Sequence, residues 1–479
     1  MNLQDLQIVA PELIVLIMAC SLLMLDLFLS PQRRGILHLV SILTMALAAI
    51  ITLRGHPALE ATGTVMAFAD TVIRDGMGDL LKVFAYLIMI FVFVYSRHYL
   101  KQFNMYRGEF YSLAMFALLG AMVLISAANL ITVYLGLELM ALSLYAMVAL
   151  KRDDRRATEA AMKYFILGSM ASGFLLYGMS MVYGATGSLQ ISEISLAAAQ
   201  QGSDSMILVF GLIFMVVAMA FKFGLVPFHM WVPDLYEGAP APVVLFISSM
   251  PKLAAFAMAI RLLQDGLSSL HHDWQGMLIV VAVLSIVLGN LAALAQQNIK
   301  RMLAYSTISH MGFVMFGLLS GTAAGFGASM FYVITYALMS AGAFGVVIFM
   351  SGKGIEAEKL SDYKGLNQRN PWFAAMFAAL MLSMAGIPVF VGFFAKWLVI
   401  QAVVDAGLIW LALLAVVFSV IGGYYYLRVI KIMYFDKAKD EAPIQAPSDF
   451  RAVLSVNALL MVVLGIFSAP LIAACMAVF

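Results

Sequence analysis

Residues 221–240 read FKFGLVPFHMWVPDLYEGAP, and this stretch decides how the chain folds. Lys222 stands two residues before Gly224, with Pro227 and Pro233 close behind. On either side lie apolar runs, near 205–224 and 243–263, and a membrane-crossing helix needs about 20 such residues. A helix is therefore expected to break here at membrane depth, beside a cation. Backbone released at that depth persists only where protein or trapped water satisfies it. The motif Gly386-Ile387-Pro388 repeats the pattern within 373–404, with Lys396 just beyond it.

The rest of the sequence agrees with a bilayer as solvent. The 479 residues are 63% hydrophobic and 11% charged, where a soluble domain carries roughly 25% charged residues. Candidate spans lie near 9–29, 36–53, 79–96, 110–127, 130–150, 159–183, 205–224, 243–263, 276–295, 302–320, 326–350, 373–404, 408–434 and 453–475, which makes fourteen. Twenty of the 28 lysines and arginines, Lys353 and Lys439 among them, fall in every second connection. By the positive-inside bias those connections are cytoplasmic and both termini lie outside. Because Asp5 and Glu12 precede the first apolar run and no basic residue does, that run reads as a retained span rather than a signal peptide. A net charge of +2 without a basic, aromatic-rich stretch gives no sign of nucleic-acid binding. Cys20 and Cys475 lie far apart and form no CxxC, so neither a metal centre nor an iron–sulfur cluster is expected on this chain.

Five lysines lie outside the loops: Lys82, Lys163, Lys222, Lys252 and Lys396. Lys82 stands one turn inside its helix and is expected to snorkel to the interface. The acids Glu12 and Asp26 flank the first span and read as interfacial too. The others are harder to explain away. At 1.5 Å per residue, Glu138 and His310 come out roughly 12 Å deep and Lys252 roughly 15 Å, near the middle of a ~30 Å hydrocarbon core. Lys222 and Lys396 sit at the two breaks, and Lys163 is shallower. Intramembrane charges are costly and by default functional. A purely structural set of ion pairs would balance its signs, whereas four lysines here face one central acid. His310 alone could serve simply as a bond between helices.

Residues 161–172 and 329–340 share Met, Tyr, Ile and Ser positions at an offset of 168. The two broken spans are the seventh and twelfth, five apart, and an odd repeat length inverts orientation. The expected fold is an all-α polytopic membrane protein of about 14 transmembrane helices. It would hold two inverted five-helix repeats, helices 4–8 and 9–13, with helices 7 and 12 discontinuous. The divisions fall at 1–105, 106–265, 266–440 and 441–479. Inverted repeats with one broken helix each are a transporter architecture in which the breaks mark the ion path.

Residues 221–240 resemble the signature of the proton-pumping membrane subunits of respiratory complex I and the Mrp-type cation antiporters. Ser249-Met250-Pro251-Lys252, the run 298–310 ending in His310, and Leu137-Glu138-Leu139 fit that family as well. Within it the N-type bacterial subunits are nearest, by the opening Pro11-Glu12-Leu13-Ile14, the length, and a C-terminus without a long lateral helix. The resemblance implies a proton relay: Glu138 with Lys222, tuned or fed by Lys163, then Lys252, His310 and finally Lys396. It implies no cofactor on this chain, with NADH, FMN, Fe–S clusters and quinone on partner subunits. The implied partners are the other membrane-arm subunits of complex I and the lipid bilayer of a bacterial inner membrane, with both termini periplasmic. Two unit charges about 4 Å apart attract by ~4 kcal/mol at an effective dielectric of ~20, so opening and closing the Glu138–Lys222 pair could gate a proton. An Mrp-type Na+/H+ antiporter subunit or a membrane-bound hydrogenase subunit would share this chemistry. Sodium transport would favour more intramembrane carboxylates. A scaffold that moves nothing has no use for four buried cations.

Overall fold

The computed structural model describes residues 3–55, 63–352, 355–438 and 447–479, so Lys353 and Lys439 lie outside the described residues. Thirteen helices among them are long and apolar enough to cross a membrane. The twelfth expected span is two helices, Pro371–Ala385 and Val391–Asp405, which brings the crossings to the expected fourteen. The seventh is Met206–Phe223 followed by Trp231–Gly238. Spans five, six, ten, eleven and twelve begin on the side chains of Asn129, Asp154, Asn298, Thr322 and Asn370, each accepting from an orphan amide of the first turn.

The inverted repeat is visible in local geometry. Asn129 caps Leu130–Val148, and the loop around Gln190 returns to pair with it: Leu130 N donates to Leu189 O at 2.9 Å and Ile191 N to Ala128 O at 3.0 Å. Asn298 caps Ile299–Leu319, and Ile299 N donates to Glu358 O at 2.7 Å and Leu360 N to Gln297 O at 2.9 Å. Every partner is displaced by 169 residues, one more than the offset of 168 at which the sequence match was made. The fourth and fifth spans meet where a methyl on Gly120 would lie 2.3 Å from the Met140 amide. The ninth and tenth meet in the same register, where a methyl on Gly289 would lie 2.8 Å from the Ser309 amide. Since the related spans are five crossings apart, the two pairings fall on opposite faces, the first on the face that carries the termini.

Burial is graded. In the eighth, tenth and eleventh spans 94%, 94% and 89% of the best apolar window is buried, against 28% in the first. Lys252, His310 and a row of tyrosines ride on those three central helices.

The first three spans are fixed to the terminal face by charges that were not read correctly from sequence. Lys82 does not snorkel; it is 2% exposed and its Nζ lies 2.5 Å from Glu12 Oε1. Glu12 is thereby buried against the third span, 8% exposed. A hairpin of β1 (Thr64–Ala67) and β2 (Val72–Asp75) roofs the cluster, and Arg74 from β2 binds Asp79 at 3.0 Å. Arg261, at the π-helical end of the eighth span, binds Asp75 at 2.7 Å and Asp265 at 3.0 Å. Spacing along one helix could not show this, because every pair except Arg261–Asp265 joins separate elements or flanks a turn. At the opposite face Asp26 meets Arg34 at 3.2 Å and accepts from Gly108 N at 3.1 Å.

Candidate functional site

The seventh and twelfth spans break by one backbone device. Phe223 is followed by Gly224 at φ +79°, and Ala385 by Gly386 at φ +82°, a left-handed conformation that glycine adopts without strain. Gly224 N donates to Phe221 O at 3.0 Å and Leu225 N to Ala220 O at 2.8 Å. Gly386 N donates to Ser383 O at 3.0 Å and Ile387 N to Leu382 O at 3.1 Å. These are two Schellman caps, and each leaves later carbonyls of its helix without intrahelical partners.

Lysines satisfy those carbonyls. Lys252, 1% exposed, donates from Nζ to Phe223 O at 2.9 Å and Lys222 O at 3.2 Å. Lys396, 8% exposed, donates to Ala385 O at 2.9 Å. A cation at a helix C-terminus also meets the negative end of the helix dipole. Both ammonium groups face aromatic rings, Lys252 at 5.6 Å from the Trp231 centroid and Lys396 at 5.4 Å from that of Phe313.

Glu138 and Lys222 do not touch. No ion pair within 4.0 Å joins them, and Glu138 Oε1 is buried without a hydrogen-bond partner.

Lys163 faces elsewhere. Its Nζ lies 2.9 Å from Asp234 and 3.0 Å from Glu159, and its side chain is 46% exposed on the isolated chain. Arg301 from the tenth span reaches the same short helix, binding Asp234 at 3.3 Å and Glu237 at 2.7 Å. Lys300 donates to Ala239 O at 2.9 Å, where that helix ends, and binds Glu356 at 2.7 Å. Tyr99 also bonds to Glu356. Burial works to raise the Glu356 carboxyl, but Lys300 and then Tyr99 outweigh it and hold it below its ordinary value. A cavity of about 270 Å³ opens here, on the face opposite the termini, lined by Arg156, Glu237, Lys300 and Glu356 among others.

His310, 3% exposed, lies between two phenols: Nδ1 is 2.7 Å from Tyr332 Oη and Nε2 is 3.0 Å from Tyr426 Oη. Tyr426 bonds onward to Ser306. Lys396 reaches the same helix one turn further on, with Nζ 5.4 Å from the Phe313 ring centroid.

Buried lysines on broken helix ends, an acid with an unpartnered oxygen and a wedged histidine all lie inside the protein, and all fall in one recognised segment. A family model described as NADH:quinone oxidoreductase/Mrp antiporter, TM matches residues 127–422. The chain belongs to that family. NADH-quinone oxidoreductase subunit N of Thioalkalivibrio sulfidiphilus is 55% identical over 467 residues, covering 97% of this chain and 96% of that protein. A chain of respiratory complex I from Thermus thermophilus with bound aureothin superposes with TM-score 0.82 at 31% identity, over 98% of this chain and all of that one. A chain of the Mrp complex from Dietzia sp. superposes with TM-score 0.85 at 18% identity, over 100% of this chain and 97% of that one, a likeness of fold alone.

The segment matched to the NADH:quinone oxidoreductase/Mrp antiporter family contains Glu138, Lys163, Lys222, Lys252, His310 and Lys396. The structure brings Lys252 to the end of the Lys222 helix and sets His310 near Lys396, while Lys163 joins the charges around Asp234. Sequence reading missed Tyr332, Tyr336 and Ser340, which recur every four residues on the eleventh span, and Tyr426 on the thirteenth. The signal was a polar stripe at helical spacing inside an apolar run. It was masked because tyrosine is also an ordinary packing residue.

Proposed function

We propose that this chain is the N-type membrane-arm subunit of a bacterial NADH:quinone oxidoreductase, and that it moves protons without redox chemistry of its own. The observation that carries the reading is the buried row of ionisable side chains, in which two lysines rest on the carbonyl ends of two broken helices. The working unit is the pair of repeats at 106–265 and 266–440, framed by 1–105 and 441–479. Both termini face the periplasm, and protons enter from the charged cavity on the other face. NADH, FMN, Fe–S clusters and quinone belong to partner subunits.

In this reading a conformational change in the complex closes and opens Glu138 on Lys222. Closure to about 4 Å favours the ammonium by ~4 kcal/mol at an effective dielectric of ~20. Opening removes that hold, and the proton passes to Lys252, whose Nζ already lies on the carbonyl of Lys222. His310 takes it onward to Lys396, at the second break. Lys163, held by Asp234 at the end of the path that faces the cytoplasm, acts on the uptake side.

Two measurements test this. A tagged copy on a native gel of mildly solubilised membranes is expected to comigrate with a very large NADH-oxidising band. A tag found only in smaller, NADH-inactive species, with the enzyme intact, would turn the reading to an Mrp-type antiporter subunit. Lys252→Met is expected to assemble and to lower the number of protons moved per NADH oxidised. A parental ratio in that variant would end the relay.

A further inference from the structure

The eighth span carries Lys252 near its middle and Arg261 at its terminal-face end, and Pro251 stands directly before the lysine. A proline inside a helix offers no amide to the carbonyl four residues earlier, and so weakens the helix at that point. The half of the span that holds Lys252 is therefore less firmly secured from its N-terminal side. At its other end the helix widens into a π turn, Ile260–Gly266. Such turns are rare and gather at functional sites. Arg261, 4% exposed, links this turn to the helices around it. Its Nη1 lies 3.0 Å from Asp265 inside the turn and its Nη2 2.7 Å from Asp75 on β2. Nη2 and Nε also donate to Ile125 O, at the end of the fourth span, at 3.3 and 3.4 Å.

Those partners are themselves fixed. Asp75 Oδ1 accepts from Gly78 N at 2.8 Å, Ile73 N donates to Ser126 O at 2.8 Å, and Ala128 N donates to Thr71 O at 3.1 Å. The second repeat makes the same tie on the other face. Arg428 on the thirteenth span donates to Leu294 O at 3.3 Å, near the end of the ninth span, and Leu294 stands 169 residues after Ile125. Each arginine thus joins the last helix of its repeat to the first. Arg428 is half-buried and bonds to carbonyls and Gln297. Arg261 is buried, binds two carboxylates and shares its helix with a lysine that rests on a break.

We propose that Arg261 is a positioning residue: by pinning the π turn to Asp75 and to the end of the fourth span, it holds Lys252 against the carbonyls of Phe223 and Lys222. This role rests on the relay described above and accounts for how its central lysine is kept in place. Nine residues separate the two side chains in sequence, roughly 14 Å of helix. Relaxing the π turn to α geometry would turn and shift the helix between Pro251 and Arg261, which carries Lys252. A hydrogen bond of 2.9 Å is lost once its partners part by more than about half an ångström. Arginine suits the task because its planar fork reaches carboxylates and a carbonyl at once and keeps its charge.

The test uses the assembled complex in sealed membrane vesicles, reading protons moved per NADH oxidised across a range of pH. Arg261→Gln is expected to assemble and to lower the ratio at neutral pH toward that of Lys252→Met. The pH at which the ratio is half its maximum is expected to move by about one unit, the weight of one charge-assisted hydrogen bond. A span that is merely loosened loses assembled complex and leaves that pH where it was. If Lys252→Met lowers the ratio while assembled Arg261→Gln keeps the parental half-maximal pH, Arg261 does not position the lysine and the relay stands. A parental ratio in Lys252→Met overturns both. Should Arg261→Gln not assemble, Asp265→Ala decides, since it frees the π turn and leaves Arg261 bound to Asp75. The same lowered ratio and moved pH are expected there, and a parental half-maximal pH overturns the role. Failure of both variants to assemble marks a folding role and overturns it too.

Discussion

The two broken spans share a backbone and differ in their wiring. In the seventh, the lysine that satisfies the exposed carbonyls comes from the next helix, so the contact joins two elements. The trailing helix Trp231–Gly238 has eight residues and is tied by Lys163, Arg301 and Lys300 to the sixth and tenth spans. In the twelfth, Lys396 comes from the trailing half of the same span, which runs for 15 residues. Lys396 and Asp405 are its only charged residues, and neither forms an ion pair among the described residues. One break is thus coupled to its surroundings through charge and the other is closed on itself. A displacement of the eighth span would be felt at the first break and not at the second. This suits a switch followed by an outlet.

The comparison can be broken most forcefully through backbone contact. A methyl on Gly392 would lie 1.8 Å from Ser383 O, whereas one on Gly224 would meet the movable side chain of Val232 at 2.7 Å. Gly392→Val is expected to cost ~3 kcal/mol or more and to abolish assembly. Gly224→Ala is expected to cost ~1–2 kcal/mol from its positive φ, with the complex still visible on a native gel. Equal tolerance at both sites would mean that the twelfth span is not the more self-contained.

Charge without release gives the next test. Arginine donates to carbonyls but does not give up its proton. Lys252→Arg and Lys396→Arg are expected to assemble and to lose proton transfer, read as acidification per NADH oxidised. A variant that still pumped would reduce its lysine to a helix-end clamp.

A last test, read in stability alone, lies at the tether of the seventh span. Removing the anion opposite Lys300 by Glu356→Gln should cost about 1–3 kcal/mol, since Lys300 is 1% exposed and keeps Glu358 only at 3.5 Å. Glu356 is held below its usual 4.5, so its contribution is complete above that pH and lost as pH falls through the lowered value. The parent's melting temperature should therefore fall in that acidic window more steeply than the variant's.

Most of the architecture was legible because a bilayer makes hydropathy and charge placement do the sorting. All fourteen crossings, both breaks and the buried lysines follow from it. The pairing of charges was not legible: Lys82 finds Glu12 on another helix, and Lys163 finds Asp234 on the short helix after the first break. Periodicity tells which face of a helix a residue occupies, not which neighbour that face meets. The buried tyrosines of the eleventh and thirteenth spans were missed because tyrosine is also an ordinary packing residue.

The interior row also bears on how the chain is made. Lys252 is synthesised 30 residues after the carbonyl of Lys222, so its partner is already present when it enters the bilayer. His310 finds Tyr332 after 22 residues but waits 116 for Tyr426. At ~5–20 residues per second that delay is on the order of ten seconds. Until then the ring's second nitrogen lacks the phenol that meets it in the finished fold, so His310 is completed only when the thirteenth span arrives.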